Sequence, residues 1–288
     1  MVDPHHPHRG RQCERRPKVG RPGIKDLAVP PKRYRPSKCL DDFPTAQSAE
    51  RERQTRIRLL AATTHQGLWG EAARALAVRL EEDAETLANN QVMLGWQDRI
   101  VGQLHRLIER QGREDICTFT IAKRAWAKHP AELDVGLLAK VERQFRKNIA
   151  DLKRKLKPKR GWIFATIEAS YDVDFGCYQF HIHGAASGDY VGVIDGLRKL
   201  RSYKPWIGIS GIPDCRYPVR RSREPLTNMP RPINYAFKSY WKVRKAGHVA
   251  RLPGEEHTRM LLFLDECEVD DLTILINLGV EKGSFEEL

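Results

Sequence analysis

Apolar residues recur at helical spacing through much of the chain. Between residues 54 and 112, two apolar stripes step by three and four residues, which predicts two or three amphipathic helices. A further stripe runs in the same steps from Leu138 to Leu156 and ends near Pro158. We therefore expect a helical segment at 54–112 and, after it, one long helix with a single apolar face.

Short segments of alternating β-branched and aromatic residues predict strands. Ile116–Ile121, Gly161–Ala169 and Cys177–Ala185 have this character. The last two flank a turn-rich stretch from Tyr171 to Gly176, so they should form an antiparallel hairpin. With a further helix expected from Tyr190 to Leu200, the pattern predicts an α+β fold in which helices flank an antiparallel sheet.

The last third of the chain is less periodic. The Pro- and Arg-rich stretch from Pro213 to Pro232 predicts a mobile loop. Pro232 is well placed to open a helix that carries Tyr235 and Lys238. Beyond residue 250 we expect one or two small acidic helices, which would form a C-terminal extension at 251–288.

The charge of the chain indicates a polyanionic partner. The formal net charge is +13 and the isoelectric point is about 9.6. Lysine and arginine release counterions from phosphates, so nucleic acid is the first candidate and an anionic membrane surface the weaker one. Residues 1–40 hold eleven Lys or Arg, three Asp or Glu and seven prolines, which predicts a disordered basic arm at 1–53.

Other features of composition indicate an intracellular setting. The sequence has no run of eighteen apolar residues and no apolar stretch typical of a secretory signal, so we expect a soluble, cytoplasmic protein that does not bind a membrane. Its six cysteines are widely spaced and form no C-x-x-C pair, which favours reduced thiols.

Two histidines on the second hairpin strand suggest a metal site. Alternate side chains of a strand share a face, so His181 and His183 project together while Ile182 points into the core. Two imidazoles in this position can hold one divalent ion. An H-x-H sequence by itself is more often structural, so its meaning depends on what faces it.

The facing hairpin strand supplies a carboxylate. If the hairpin is centred between Val173 and Asp174, Glu168 lies opposite Gln179 and on the histidine face. Glu168 then becomes a third candidate ligand and Gln179 a fourth. Because a slip of one residue would turn Glu168 away, this inference depends on the register.

A tyrosine and a lysine are spaced for nucleophilic chemistry. On one helix Tyr235, Lys238 and Lys242 would share a face, while Ile233, Phe237 and Tyr240 or Trp241 pack inward. Lys238 could then favour the phenolate of Tyr235 or neutralise charge on a phosphate.

The order of these features resembles that of a known family. A T-x-T strand (Thr118 to Thr120), a long helix, a strand with Glu168, the His181-Ile182-His183 strand and Tyr235-x-x-Lys238 follow one another. This order is similar to that of the HUH endonucleases, specifically the rolling-circle replication initiator proteins of plasmids. The resemblance covers about residues 115–245, which predicts an HUH-like or RRM-like nicking domain at 113–250.

The resemblance implies a role for each matching residue. Tyr235 would be the nucleophile and Lys238 the motif lysine, forming a 5′-phosphotyrosine link to single-stranded or hairpin DNA. Host helicase or replication proteins would be further partners. His181 and His183 would bind Mg²⁺ or Mn²⁺ with Glu168, and Thr118 and Thr120 would support the site or touch the DNA.

Basic residues should hold the DNA backbone. The basic segments are the N-terminal arm, Arg198 to Lys204 and Arg216 to Arg223. The last segment contains the candidate DNA contacts Arg220 and Arg221, and Lys242 is a third candidate. Trp206 or Tyr217 could stack on an unpaired base.

Several alternatives stay open. Phe180 stands where the family often has proline, and Cys177 stands where relaxases carry an extra histidine. The tyrosine follows the histidine pair, which also argues against a relaxase. A decayed initiator that binds DNA without cutting it and an HUH-type transposase share the motif order. A cupin-like enzyme would need a glutamate after the pair, where Ala186 to Gly188 stand.

Overall fold

A computed structural model of the protein describes most of the chain. The described residues form an α+β fold in which helices flank a largely antiparallel sheet, so the predicted fold class is confirmed. The described residues are 23–29, 45–64, 68–112, 115–207, 212–222, 226, 229, 231–234, 237, 238, 241, 243, 244 and 251–288.

Within the described residues, the central sheet has six strands. Its order is β4-β1-β3-β2, and the far side of β2 is shared by β6 along its first half and β5 at its end. Only β5 runs parallel to its neighbour. The bounds are β1 Ile116–Lys128, β2 Ile163–Asp172, β3 Cys177–Ser187, β4 Val219–Arg221, β5 Val243–Arg244 and β6 Thr273–Ile276.

Helices flank this sheet and precede it. Three of them, α1 to α3, come from the segment in which helical spacing was found, and α4 is the long helix expected after β1. The bounds are α1 Ala46–Ala61, α2 Leu68–Glu81, α3 Asn90–Gln111, α4 Val135–Leu156, α5 Tyr190–Leu197, α6 Arg231–Asn234, α7 Gly254–Asp265 and α8 Val269–Leu272.

The two faces of the sheet differ in character. Phe119 of β1 packs against Phe145 of α4, with ring centroids 6.5 Å apart, and both rings are buried. Side chains alternate along a strand, so the residues next to Phe119 in sequence project to the other face. That other face carries Thr120 of β1 together with Glu168 of β2 and the two histidines of β3.

The register of the β2–β3 hairpin differs from the predicted one. Glu168 pairs directly with His181 rather than with Gln179, a shift of two residues. Because the side-chain period of a strand is two, a shift of two keeps Glu168 on the histidine face. The error moved the predicted contacts along the strand but did not turn the carboxylate away.

The loop of the hairpin explains this register. Its four residues, Val173 to Gly176, leave Asp172 and Cys177 as the closing pair. The side chain of Asp172 accepts a hydrogen bond from the backbone N–H of Phe175, at 3.3 Å. Gly176 closes the loop with a φ of +60°, a conformation that glycine adopts without steric cost.

The stretch predicted to be a mobile loop contains a strand. Val219–Arg221 forms β4, which pairs with β1 at the edge of the sheet, so the loop prediction for 213–232 was wrong there. The backbone N–H of Ala122 also donates to the carbonyl of Pro218, at 2.8 Å. Three residues that follow a proline and include two arginines carry too little periodicity to identify a strand. The open edge of β1 provides the partner.

The helix predicted around Tyr235 is shorter than expected. α6 ends at Asn234, and Phe237, Lys238 and Trp241 are not helical, so the prediction of one helix through Lys242 was wrong. The chain must leave the helix because β5 begins at Val243 and joins β2. Tyr235, Tyr240 and Lys242 lie outside the described residues.

The inward-facing residues of this segment were predicted correctly. Ile233, Phe237 and Trp241 are buried, each 2% exposed or less. Trp241 packs edge-on against Phe180 of β3, with ring centroids 5.7 Å apart. These contacts attach the segment to the core despite its irregular backbone.

The C-terminal segment is only partly helical, so its prediction as a helical extension was wrong in its second half. After α7 and α8 the chain forms β6, which extends the central sheet. It then forms a separate hairpin of β7, Leu278–Glu281, and β8, Ser284–Glu287. Three of the four residues of β6 are β-branched, a composition that favours a strand, and β2 supplies its partner.

The start of the chain also departs from the predicted boundaries. α1 begins at Ala46, not near residue 54, because Thr45 and Ser48 cap it with reciprocal side-chain hydrogen bonds. Within the predicted arm, residues 23–29 are described, and Ile24 is buried with its N–H donating to Asp270, at 3.0 Å. The remainder of the arm before Thr45 is outside the described part.

Within the part of the chain that the structure describes, none of the helices combines the length and the apolar character needed to cross a membrane.

Substitution of Gly176 tests the account of the hairpin loop. A Cβ at this position would meet no atom within 4 Å, so only the backbone conformation opposes a side chain. We expect Gly176→Val to lower the free energy of unfolding by roughly 1–2 kcal/mol in urea titrations, and Gly176→Asn by less, because asparagine tolerates positive φ. Equal stability of the two variants would contradict the account.

Candidate metal centre

Three potential metal ligands converge on the polar face of the sheet. Glu168 comes from β2, and His181 and His183 come from the neighbouring β3. The Oε2 atom of Glu168 lies 3.6 Å from the Nε2 atom of each histidine. One ligand atom from each of the three residues lies within 4.8 Å of the other two, so the cluster could hold a metal ion.

The ring of His181 is oriented by the backbone. Its Nδ1 atom lies 3.1 Å from the carbonyl oxygen of Gln179. A carbonyl can only accept, so Nδ1 carries the proton and donates it. The Nε2 atom of His181 is then left with the lone pair that a metal ligand needs.

The ring of His183 is oriented by a threonine. Its Nδ1 atom is 2.8 Å from the hydroxyl of Thr120, and its Nε2 atom is 3.3 Å from the ammonium of Lys238. An ammonium can only donate, so Nε2 accepts and Nδ1 carries the proton. The Thr120 hydroxyl therefore accepts from Nδ1 and holds the ring in an orientation in which Nε2 of His183 also directs its lone pair towards Glu168.

Lys238 places a positive charge among these donors. Its Nζ atom donates to Oε2 of Glu168 at 2.9 Å, besides its contact with His183. The lysine comes from the segment after α6, 70 residues from Glu168 in sequence. The predicted motif lysine and the predicted ligands thus meet at one point.

The protonation states of the cluster suit metal binding. Burial lowers the pKa of His183 to about 3, so its imidazole is neutral at physiological pH. Burial disfavours the charged form of Glu168, but the attraction of His183 and Lys238 outweighs it and holds the pKa of that carboxyl below its usual range.

The donor set fits a divalent cation. Two imidazole nitrogens and one carboxylate oxygen are ligands that such ions accept. The second carboxylate oxygen of Glu168, Oε1, is buried and makes no hydrogen bond within the described part of the chain. A bound cation would give this oxygen a partner, which agrees with the convergence of the other three atoms.

Gln179, the predicted fourth ligand, makes hydrogen bonds to the backbone beside the cluster. Its amide nitrogen donates to the carbonyls of Lys123 and Phe180, at 3.2 and 2.9 Å. Lys123 lies in the irregular part of β1, where the register with β3 shifts between Ala122 and Ala127. Gln179 therefore stabilises a bulge beside the site, a position where bulges are common.

A groove opens beside His183 on the β4 side of the cluster. It has a volume of about 270 Å³ and lies between β1, β4 and the start of α6. The predicted DNA contacts Thr118, Thr120, Arg220 and Arg221 all line it. The full lining is Thr118, Phe119, Thr120, His183, Gly184, Arg220, Arg221, Ser222 and Pro232.

The two neighbouring arginines of the groove are not equivalent. Arg221 donates to Asp195 of α5 at 2.7 Å and to the carbonyl of Ser222 at 2.9 Å. Its charge is therefore compensated by a carboxylate of the protein itself. Arg220 is exposed, and its guanidinium lies 5.7 Å from the ring centroid of Tyr217. Arg220 is the arginine of this pair that can contact a ligand.

The residue before Tyr235 is held by the helical segment. Gln97 of α3 donates from Nε2 to Oδ1 of Asn234 at 2.6 Å, and both side chains are buried. Sequence reasoning missed Gln97, Ser222 and Asp195, because each acts through a partner at least 26 residues away. No local pattern marks such pairs.

The chain was compared with protein-family models, curated proteins and solved structures, and none of them matched.

Removal of the Thr120 hydroxyl tests the orientation of His183. We expect Thr120→Val to weaken Mn²⁺ binding roughly 10-fold to 100-fold, as loss of an outer hydrogen bond to a ligand does, measured by calorimetric titration. Thr118→Val is the matched control, because Thr118 lies two residues away on the same face and faces the groove. If both variants bind Mn²⁺ like the wild type, Thr120 does not orient the ligand.

Proposed function

We propose that this protein is a metal-dependent, tyrosine-using DNA-nicking enzyme that initiates rolling-circle replication of a plasmid or related mobile element. One observation carries the proposal: Lys238 of the Y-x-x-K sequence reaches Glu168 and His183 at 2.9 and 3.3 Å. The two motifs are far apart in the chain, since Lys238 follows His183 by 55 positions. Their meeting favours one reaction centre over two unrelated features.

The proposed nucleophile is Tyr235. It follows Asn234 directly and precedes Lys238 by three residues, so it belongs to the segment that supplies the lysine. Both described neighbours are held, Asn234 by Gln97 and Lys238 by Glu168. Rigid flanks of this kind support a side chain that must meet a phosphate in one orientation.

The proposed reaction is an exchange of phosphoesters in single-stranded or hairpin DNA. The phenol oxygen of Tyr235 attacks the scissile phosphorus and loses its proton. The bond from phosphorus to the 3′ oxygen breaks, and the departing oxygen takes up a proton. The products are a 5′-phosphotyrosine and a free 3′-hydroxyl, which can prime synthesis.

The charges of the centre suit this chemistry. Glu168, His181 and His183 would hold Mg²⁺ or Mn²⁺, which supplies positive charge to the non-bridging phosphate oxygens. Lys238 places a second cation at the same point and can favour the phenolate or compensate the phosphate. Glu168 in turn holds the ammonium in place through the 2.9 Å hydrogen bond.

The cellular role follows from the chemistry and the charge. A basic chain with a net charge of +13 suits a DNA partner in the cytoplasm. Host helicase or replication proteins would then act on the exposed 3′ end. A decayed initiator that binds DNA without cutting it, or a transposase, would share the same centre, and the covalent intermediate separates the first of these from an active enzyme.

Covalent trapping tests the proposal. Purified protein is incubated with Mn²⁺ and labelled single-stranded hairpin oligonucleotides, and a band of reduced mobility is sought in denaturing gels. We expect an adduct with wild type and with Tyr240→Phe, and none with Tyr235→Phe. If wild type forms no adduct across a broad oligonucleotide library, the nicking function fails. If only Tyr240→Phe abolishes the adduct, the nucleophile is misassigned.

Lys238 should oppose metal binding while it promotes cleavage. Its ammonium lies close to two ligand atoms, and removal of a like charge at such a distance is worth on the order of 1 kcal/mol or more. We therefore expect Lys238→Met to bind Mn²⁺ roughly tenfold more tightly and yet to form adduct more slowly. Lys140→Met, at an exposed position on α4 and across the sheet from the cluster, is the control and should change neither value.

Unchanged Mn²⁺ affinity in Lys238→Met would show that the lysine does not share the centre with the metal. Unchanged adduct formation would remove it from the reaction.

A further inference from the structure

We propose that the groove beside His183 binds one nucleotide of single-stranded DNA, with its phosphate at Arg220 and its base stacked on Tyr217. This inference rests on the proposed function and specifies how the substrate is held next to the centre. It is carried by the shape of the groove, by its charge and by the position of one exposed aromatic ring.

The groove has the dimensions of a small-ligand site. Its volume of about 270 Å³ is close to the lower end of the range for sites that enclose small molecules, roughly 300 Å³. A single nucleotide unit is suited to a space of this volume. His183 is part of the wall, so an occupant lies directly beside the metal centre.

Strand alternation directs Arg220 to this side of the sheet. Arg220 pairs with Thr120, and Thr120 pairs with His183, so all three project from the same face. Arg221 pairs with Phe119 and projects to the opposite face, where Asp195 binds it. Because the two arginines are adjacent in β4, they project to opposite faces: Arg220 is available to a ligand, and Arg221 is neutralised by Asp195.

The wall of the groove suits an anion. No acidic side chain is among its lining residues in the described part of the chain. Two residues that carry hydroxyl groups, Thr118 and Ser222, line it, and the backbone N–H of Thr118 donates to Oγ of Ser222 at 3.0 Å. Hydroxyl groups and an exposed guanidinium are common contacts of the DNA backbone.

Tyr217 offers a stacking surface next to Arg220. Its side chain is 66% exposed, although tyrosine is large and partly apolar, and its ring lies 5.7 Å from the Arg220 guanidinium. Trp206, the other aromatic residue predicted to stack on a base, is half-buried, and its Nε1 donates to the carbonyl of Pro213. Tyr217 is therefore the ring available to an unpaired base, which stacks without regard to sequence.

The test compares two strands of equal charge. Fluorescein-labelled dT12 and a 12-residue abasic deoxyribose-phosphate strand are titrated with full-length protein, and binding is followed by anisotropy over a range of salt concentrations. We expect wild type to prefer dT12 by roughly tenfold, since stacking on an aromatic ring is worth about 1–3 kcal/mol per base. Tyr217→Ala should lose this preference and bind the abasic strand like wild type.

Arg220→Gln should act differently from Tyr217→Ala. We expect weaker binding of both strands and a salt dependence whose slope falls by about 0.7, the value for one phosphate contact on a single strand. Arg143→Gln is the matched control, because Arg143 is exposed on α4, across the sheet from the groove, and should leave binding unchanged.

The inference is overturned by any of three results. These are no preference of wild type for dT12 over the abasic strand, an unchanged preference in Tyr217→Ala, or equal effects of Arg220→Gln and Arg143→Gln. Tighter binding of rU12 than of dT12 would overturn the assignment to DNA. These titrations need neither metal nor Tyr235, so a failure of covalent trapping alone would refute the nicking function and leave this site standing.

Discussion

The pairing of β2 with β3 is the constraint on which the rest of the site depends. Glu168 stands directly across from His181, and every residue of β2 from Ile163 to Asp172 has a partner on β3. A slip of one residue would send the carboxylate to the apolar face, where it would be buried without its positive partners. The apolar contacts behind the sheet and the loop at Gly176 oppose such a slip.

Other parts of the chain complete the site around this pair. β1 supplies the Thr120 hydroxyl that orients His183, and the segment after α6 supplies Lys238. The helical segment holds the end of α6, just before Lys238, through the hydrogen bond from Gln97 to Asn234. The candidate metal ligands, the lysine and the groove are therefore joined by contacts between elements that are far apart in sequence.

The sequence was informative where a pattern is local. The period of 3.6 identified α4, whose buried stripe includes Val141, Phe145 and Ile149. Of the predicted stripe, only Leu156, the last residue of the helix, is exposed. The period of two identified β1 to β3 and placed Glu168 with the histidines, since an even error in register preserves the face. The candidate ligands could thus be found before their distances were known.

What could not be predicted depends on partners that are distant in the chain. β4 is a strand because β1 offers an open edge, and β6 because β2 does. The helix predicted through Lys242 gives way at Asn234, since burial of Phe237 and Trp241 and the pairing of β5 outweigh local helical spacing. The separate roles of Arg220 and Arg221 follow from the register of β4, which no local signal reveals.

The central claim is that Glu168, His181 and His183 form one metal centre shared with Lys238. Anomalous diffraction from crystals of the protein soaked in Mn²⁺ tests it most directly. The account predicts one strong peak within about 2.0–2.3 Å of Nε2 of both histidines and of a Glu168 oxygen. It also predicts that the Lys238 ammonium moves away from its contact with His183. A peak elsewhere, or none on these three residues, would contradict the account.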